Sequence, residues 1–256
     1  MPKISACIIS FNEEAKLEAC LESLVPVVDE IVIVDSLSTD ATVEIARRYN
    51  SKVYDQAFLG HIEQKNLAVS KASNDWILSL DCDERLDDEL QREILRVKDT
   101  LEEHGAYRMA RKTFYMYRWL NHTWYPDKQT RLFNRNVAHW GGMNPHDVII
   151  VDRRLVHPLG GDILHYSYDS VSDHIQTIDK FTTISAREIV SKGKRVGILK
   201  PLTNGIWSFI RLYLLKGGFR DGFAGFVACF LSMMYTFVKY AKVIMYRREE
   251  AAASRD

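Results

Sequence analysis

At 256 residues, 46% hydrophobic and 27% charged, the chain can bury one large domain with an appendage, and its composition excludes an intrinsically disordered chain. The formal net charge of zero averages two unlike parts. Met1 to His104 holds 11 Lys and Arg against 22 Asp and Glu, whereas Lys192 to Arg248 holds 11 against the single acid Asp221; an acidic body with a basic arm suits an anionic surface, and no nucleic-acid partner is expected.

The first apolar run, Ile4 to Ser10, reads as a strand. It ends at Asn12, Glu13 and Glu14 with no cleavage-site pattern, so it is no signal peptide and the protein is expected to stay on the cytoplasmic side. Leu17, Leu21 and Leu24 share one helical face. Ile31 to Val34 is nearly all β-branched, which suits a strand buried on both faces. Ser38, Thr39 and Asp40 supply N-cap chemistry for a helix through Tyr49. Val53 and Tyr54 mark a third strand, His61 to Ala72 a helix and Trp76 to Leu80 a fourth strand. Leu90, Ile94, Val97 and Leu101 then follow helical spacing. Strands alternating with helices predict an α/β fold on a parallel, doubly wound sheet.

From Ala106 aromatic and basic residues alternate through Tyr117, which suits strands and loops. A long helix is expected from Ser170 to Ser191, opened by a capping-box variant, Ser170 to Asp173. Lys192 to Gly197 reads as a linker, so the expected division is a domain over 1–190 and a helical extension over 191–256. In the extension, Gly222 to Val238 is an uncharged run of 17 residues, at the short end of what spans a membrane. Ile206 to Leu215 is a second apolar segment, interrupted by Arg211. Apolar segments with basic flanks suit helices lying in a membrane interface; the alternative is a helical pair packed on the main domain. Cys7, Cys20, Cys82 and Cys229 form no C-x-x-C pair and read as buried free thiols.

The sharpest chemical signal is Asp81-Cys82-Asp83 at the end of the fourth strand. On a strand, residues i and i+2 point to one side, so both carboxylates can converge where ligands of open α/β sheets collect. Two carboxylates there suit a hard divalent cation that itself holds a diphosphate; a solvated turn is the bland alternative. The first βα turn, Ser10-Phe11-Asn12-Glu13-Glu14, has no glycine, so neither a dinucleotide fingerprint nor a phosphate loop is present. Asp35 ends the second strand, where a carboxylate can accept from a base or a ribose hydroxyl.

These segments together resemble a family. Ile8-Ile9-Ser10-Phe11-Asn12-Glu13-Glu14, Val32-Ile33-Val34-Asp35 with Ser38-Thr39-Asp40, and Leu80-Asp81-Cys82-Asp83-Glu84-Arg85 look like family-2 inverting glycosyltransferases of the GT-A fold, in order and spacing. Gln64-Lys65-Asn66, Gln129-Thr130-Arg131-Leu132-Phe133, His146-Asp147, Leu164 to Ser167 and Gly218 to Gly222 extend the likeness towards the bacterial lipopolysaccharide-core β-1,4-glucosyltransferase branch. The resemblance implies a mostly parallel, Rossmann-like sheet flanked by helices, with a helical, membrane-associated C-terminal extension. It also implies roles. Ser10, Asn12, Glu13 and Asp35 would line the nucleotide pocket, Lys65 would neutralise phosphate, and Arg131 would hold the diphosphate leaving group. Asp83, assisted by Asp81, and His165 would bind Mg²⁺ or Mn²⁺. Asp147 would be the general base, with Asp127 in reserve because His146-Asp147 departs from the family's His-Glu step. The implied reaction moves a hexose, glucose first, from a UDP-sugar to a lipid-linked glycan, with lipopolysaccharide inner core ahead of a polyprenyl-linked acceptor. The implied place is the cytoplasmic face of the bacterial inner membrane, peripherally bound to its anionic surface. A nucleotide- or glycan-binding module without catalysis is the alternative from another class. Neither the hexose nor the oligomeric state is fixed by the sequence.

Overall fold

The computed structural model describes residues 1–143, 146–194 and 196–253. In chain order the elements are β1 (Ile4–Ser10), α1 (Leu17–Leu24), β2 (Glu30–Asp35), α2 (Thr42–Arg48), β3 (Lys52–Asp55), α3 (His61–Lys71), β4 (Trp76–Ser79), β5 (Glu84–Leu86) and α4 (Asp88–Val97). There follow β6 (Ala106–Tyr115), β7 (Arg118–Trp119), β8 (Asp127–Asn134), β9 (His139–Met143), β10 (His146–Ile150), β11 (Val156–His165), α5 (Val171–Ser191), α6 (Lys200–Phe209) and α7 (Gly222–Ala253). They form two compact units, one of Met1–Lys112 with Asp127–His165, the other of Thr113–Pro126 with Tyr166–Asp256.

In the first unit the sheet runs β3-β2-β1-β4-β8-β6-β11-β5. Its β3-β2-β1-β4 part is parallel, and β8 joins β4 and β6 antiparallel. Alternation along the strands builds two cores, because successive side chains point to opposite faces. Ile4, Ala6, Ile8, Ile31, Ile33, Trp76 and Leu78 meet Leu17, Leu21, Leu24 and Leu90 on one face. Cys7, Val32, Val34 and Ile77 meet Ala68 and Val69 of α3 on the other. The doubly wound arrangement read from the alternating pattern is therefore present in the parallel half. Asp87 caps α4 by accepting from Leu90 N–H at 2.7 Å and also accepts from Asp162 N–H at 3.0 Å. Here β11 passes so close that a Cβ on Gly161, at φ +82°, would lie 2.3 Å from Leu90 N, which only glycine permits.

The second unit begins with the excursion Thr113–Pro126 and continues through the three long helices. Ser170 caps α5, accepting from Asp173 N–H at 3.0 Å, as the Ser-x-x-Asp signal required. Ala186 and Val190 of α5 pack on Val243 of α7. Lys242 Nζ donates to Asp179 Oδ1 at 2.7 Å and to the Thr182 and Thr183 hydroxyls. α5 clusters with the C-terminal helices, where α7 covers part of its apolar face. All four cysteines are free and buried.

His174 of α5 is buried, stacks on Tyr168 at 4.0 Å between ring centroids and shares a hydrogen bond of 2.9 Å with Tyr115 OH. Burial pushes its pKa from 6.5 down to about 4, against a smaller upward pull from Asp173. Between these two values the unfolded chain holds a proton that the folded chain lacks. Stability therefore rises with pH across that window and is lost as pH falls from 6.5 towards 4. The loss is on the order of 3 kcal/mol. In urea unfolding, the difference between the native chain and His174→Gln should shrink by about that amount between neutral pH and about pH 4.5; a pH-independent difference contradicts a neutral buried imidazole.

Candidate active site

Ser10 and Asp35 are register partners at the carboxyl ends of β1 and β2. The Asp35 carboxylate, 1% exposed, accepts from Ser10 Oγ at 2.7 Å and from Ser38 through both its N–H and its hydroxyl at 2.6 Å. The two βα turns are laced together. Asn12 N–H donates to Ser38 Oγ at 2.8 Å, Thr39 N–H to Asn12 Oδ1 at 2.9 Å and Glu13 N–H to Thr42 Oγ1 at 2.7 Å. Asn12 and Leu37 take φ of 53° and 66°, a left-handed conformation that costs a residue such as Leu about 1–2 kcal/mol. The lacing holds them there. Ser10, Asn12, Glu13 and Asp35 are thus brought to one place. The capping role expected of Ser38 to Asp40 is divided, since Ser38 serves Asp35 while Asp40 accepts from Thr42 N–H at 3.0 Å.

Asp81-Cys82-Asp83 is a turn and not a strand end. β4 stops at Ser79, Glu84 N–H closes the turn on Asp81 O at 3.0 Å, and the short β5 follows before α4. Turn geometry sends the two carboxylates different ways. Asp81 Oδ1 lies 2.9 Å from Lys65 Nζ and its Oδ2 3.2 Å from Arg131 Nη2. Asp83 Oδ2 lies 3.3 Å from His165 Nε2. His165 arrives because β11 runs antiparallel to β5 with His165 opposite Glu84.

Lys65 is the junction of the site. It is buried on α3, its Nζ is 2.7 Å from Asp147 Oδ2, and it lies over the Trp140 ring at 4.3 Å. Asn66 next to it grips the Trp140 backbone in both directions, donating to O at 2.9 Å and accepting from N–H at 3.1 Å. The β9–β10 hairpin, in which Asp147 faces Gly142, is thereby fastened to α3. Arg131, 3% exposed, donates to Glu84 Oε1 at 2.9 Å. Arg111 donates to that same oxygen at 2.9 Å and to Asp127 Oδ2 at 2.7 and 3.0 Å. Asp127 also accepts from Gln129 at 2.9 Å, so the reserve base is held by donors on both oxygens.

Burial would raise the Asp81 carboxyl, but Lys65 and Arg131 outweigh it and hold the group well below the usual carboxylate range. Burial acts likewise on Glu84 and is outweighed by Arg131, with Arg111 assisting. Sequence reasoning missed Glu84, Arg111 and Trp140. Glu84 follows the Asp-x-Asp directly, yet its two arginine partners lie 27 and 47 residues away, and no local spacing announces such pairs.

Among the described residues no three His, Cys, Asp or Glu side chains gather in metal-holding geometry, so Asp81 does not join Asp83 and His165. The remaining pair fits a Mg²⁺ or Mn²⁺ ion that takes its other ligands from a diphosphate and water, since carboxylate oxygen and imidazole nitrogen both suit Mn²⁺ and magnesium keeps several non-protein ligands. Charge agrees with the fit. Five carboxylates (Asp81, Asp83, Glu84, Asp127, Asp147) face three cations (Lys65, Arg111, Arg131), leaving two negative charges for one divalent ion to balance.

The family described as glycosyl transferase family 2 matches residues 5–159. A Rickettsia bellii glycosyltransferase is 32% identical to this chain over 96% of it and 86% of its own length. The lipopolysaccharide core biosynthesis glycosyltransferase LpsC of Rhizobium meliloti is 30% identical over 95% and 93%. Among solved structures, S. aureus TarS 1-349 aligns over 96% of this chain and 92% of that one, at 14% identity and a TM-score of 0.48.

Proposed function

We propose a function from the fact that this chain belongs to glycosyl transferase family 2: it transfers a hexose, glucose first, from a UDP-sugar to a hydroxyl of a lipid-carried glycan, with inversion. The observation that carries the reading is one turn that sets Asp83 against His165 and Asp81 against Lys65 and Arg131, with Asp147 on Lys65, all in one unit. Asp35, held by Ser10 and Ser38, presents the remaining capacity of its carboxylate to the uracil, with Asn12 and Glu13 beside it. Asp83 and His165 would hold Mg²⁺ or Mn²⁺, which supplies charge neutralisation at the diphosphate. Arg131 offers its guanidinium to the leaving group. Lys65 as found gives two of its three N–H donors to carboxylates, so a phosphate oxygen would take the third or displace one of them.

In the transfer, the acceptor hydroxyl oxygen bonds to C1 of the sugar while the bond from C1 to the β-phosphate oxygen breaks. That electron pair leaves with UDP, and the hydroxyl proton passes to the Asp147 carboxylate. Positioning and charge neutralisation supply most of the acceleration. Lipopolysaccharide inner core is the proposed acceptor, supported by the role in the name of the Rhizobium relative. The proposed place of work is the cytoplasmic face of the bacterial inner membrane. Mass spectrometry of lipid-linked glycans from cells with and without the protein should show one hexose missing from the core. Loss of the hexose from a polyprenyl-linked glycan instead replaces the acceptor, and an unchanged glycan profile with no release of UDP in vitro refutes transfer.

A further inference from the structure

The C-terminal helices are packed inside out. In the first two turns of α7 the residues turned inward are small, Ala224, Gly225, Ala228 and Cys229, with Leu231 and Val243 buried further on, while Phe223, Phe226, Phe230 and Phe237 face out, Phe223 at 62% exposure. The spacing of three, four and seven residues puts those rings on one helical face, about 20 Å long. α6 repeats the pattern: Pro201 and Gly205 are buried, whereas Leu202, Ile206 and Trp207 are exposed, Trp207 at 57%. A Cβ on Gly205 would lie 3.4 Å from Met233 O, so the small residues let the two helices close on each other. Between them a π-helical turn, Ile210–Leu215, and the bend after it expose Leu214, Leu215 and Phe219.

Helices in water put large apolar side chains inside and polar ones outside. The reverse order, continuous over a stripe of this size, marks a surface made for an apolar medium. The charges name that medium. Arg211, Lys216 and Arg220 are exposed at the tip among Leu214, Leu215 and Phe219. The only acid of Lys192 to Arg248, Asp221, is buried and spent on the N–H groups of Asn121, His122 and Thr123 at 2.7–3.0 Å. An apolar stripe edged by cations with no outward acid complements an anionic lipid leaflet.

We propose that α6, the turn and α7 form a monotopic wedge. It lies in the plane of one anionic leaflet, with Trp207, Phe223, Phe226 and Phe230 among the acyl chains and Arg211, Lys216 and Arg220 on headgroup phosphates. The proposal gives the membrane location proposed above its contact surface and mode. Among the described residues one helix, Gly218–Ala252, is long and apolar enough to cross a membrane. Its opposite face is committed to protein: Ala224 and Ala228 pack with Tyr115 and Leu120, and Lys242 is bound to α5. A spanning segment surrounded by lipid cannot keep those contacts.

The test mixes full-length protein with vesicles of phosphatidylethanolamine and phosphatidylglycerol. Trp207 emission should shift to the blue and be quenched by lipids brominated high on the acyl chain more than by lipids brominated near its end, and Trp207→Phe should remove the response. The double substitution Phe223→Glu and Phe230→Glu should weaken vesicle binding about 100-fold, with UDP release from donor alone unchanged. Strong quenching from the bilayer centre with resistance to carbonate extraction means a spanning helix and overturns the wedge. A lipid-free dimer that the double substitution dissociates means the stripe meets a second copy, and overturns it too. Vesicle binding without turnover of UDP-sugar would keep the wedge and refute the transferase reading.

Discussion

Replacing Asp83 by alanine is expected to lower sugar transfer by at least about 10³-fold, and EDTA should do the same to the unmodified protein. The argument is geometric. Asp83 is the carboxylate of the turn that is not consumed by Lys65 and Arg131, and it stands 3.3 Å from His165. Without it, two charges of the diphosphate are left to Lys65 and Arg131, both already paired with carboxylates. UDP affinity should then lose its dependence on Mn²⁺, which calorimetry reads without any turnover. Asp81→Ala should behave differently: Lys65 keeps Asp147 and Arg131 keeps Glu84, and the Asp83–His165 pair is untouched, so the Mn²⁺ dependence of UDP binding should persist while the fold loses stability. Full transfer in EDTA together with an active Asp83→Ala protein refutes the metal role.

The second large effect is expected at Asp147. Asp147→Asn keeps size and polarity but cannot take the acceptor proton, so kcat should fall about 10²–10⁴-fold. UDP affinity should change little, because Asp81 remains to hold Lys65 near the site. Asp127→Asn should cost much less in kcat, since Asp127 is gripped by Arg111 and Gln129 and serves their placement. An active Asp147→Asn beside an inactive Asp127→Asn assigns the base to the other acid.

What the sequence reveals and conceals follows from the range of the interactions. β1 to β4 and their helices were legible because a buried parallel strand and an amphipathic helix each write a local pattern, as Ile31 to Val34 and the leucines of α1 do. Ser10 and Asp35 were legible for the same reason, lying at the ends of those strands. The turn at Asp81 was not, because alternation along a strand end and a tight turn can carry the same Asp-x-Asp, and what separates them here is the Glu84 N–H closing on Asp81 O. The Lys65–Asp147 pair spans 82 residues and the Asn66–Trp140 clamp 74. Such contacts leave no periodicity behind. The partner of α5 was not legible either, because amphipathicity says that a face is covered without saying by what.

The Asp221 carboxylate has a consequence for the order in which the chain can mature on the ribosome. It ties down Asn121, His122 and Thr123, which precede it by 98 to 100 residues. At 5–20 residues per second, the segment Thr113–Pro126 emerges about 5–20 s before its anchor exists. All partners of the first unit's sheet have been made by His165, so that sheet can close while the segment between β6 and β8 still waits. Tyr115 and Trp124 gain Tyr168 and His174 as ring partners well before that, so the backbone of residues 121–123, whose N–H groups await the Asp221 carboxylate, is the last part of the segment to be fixed.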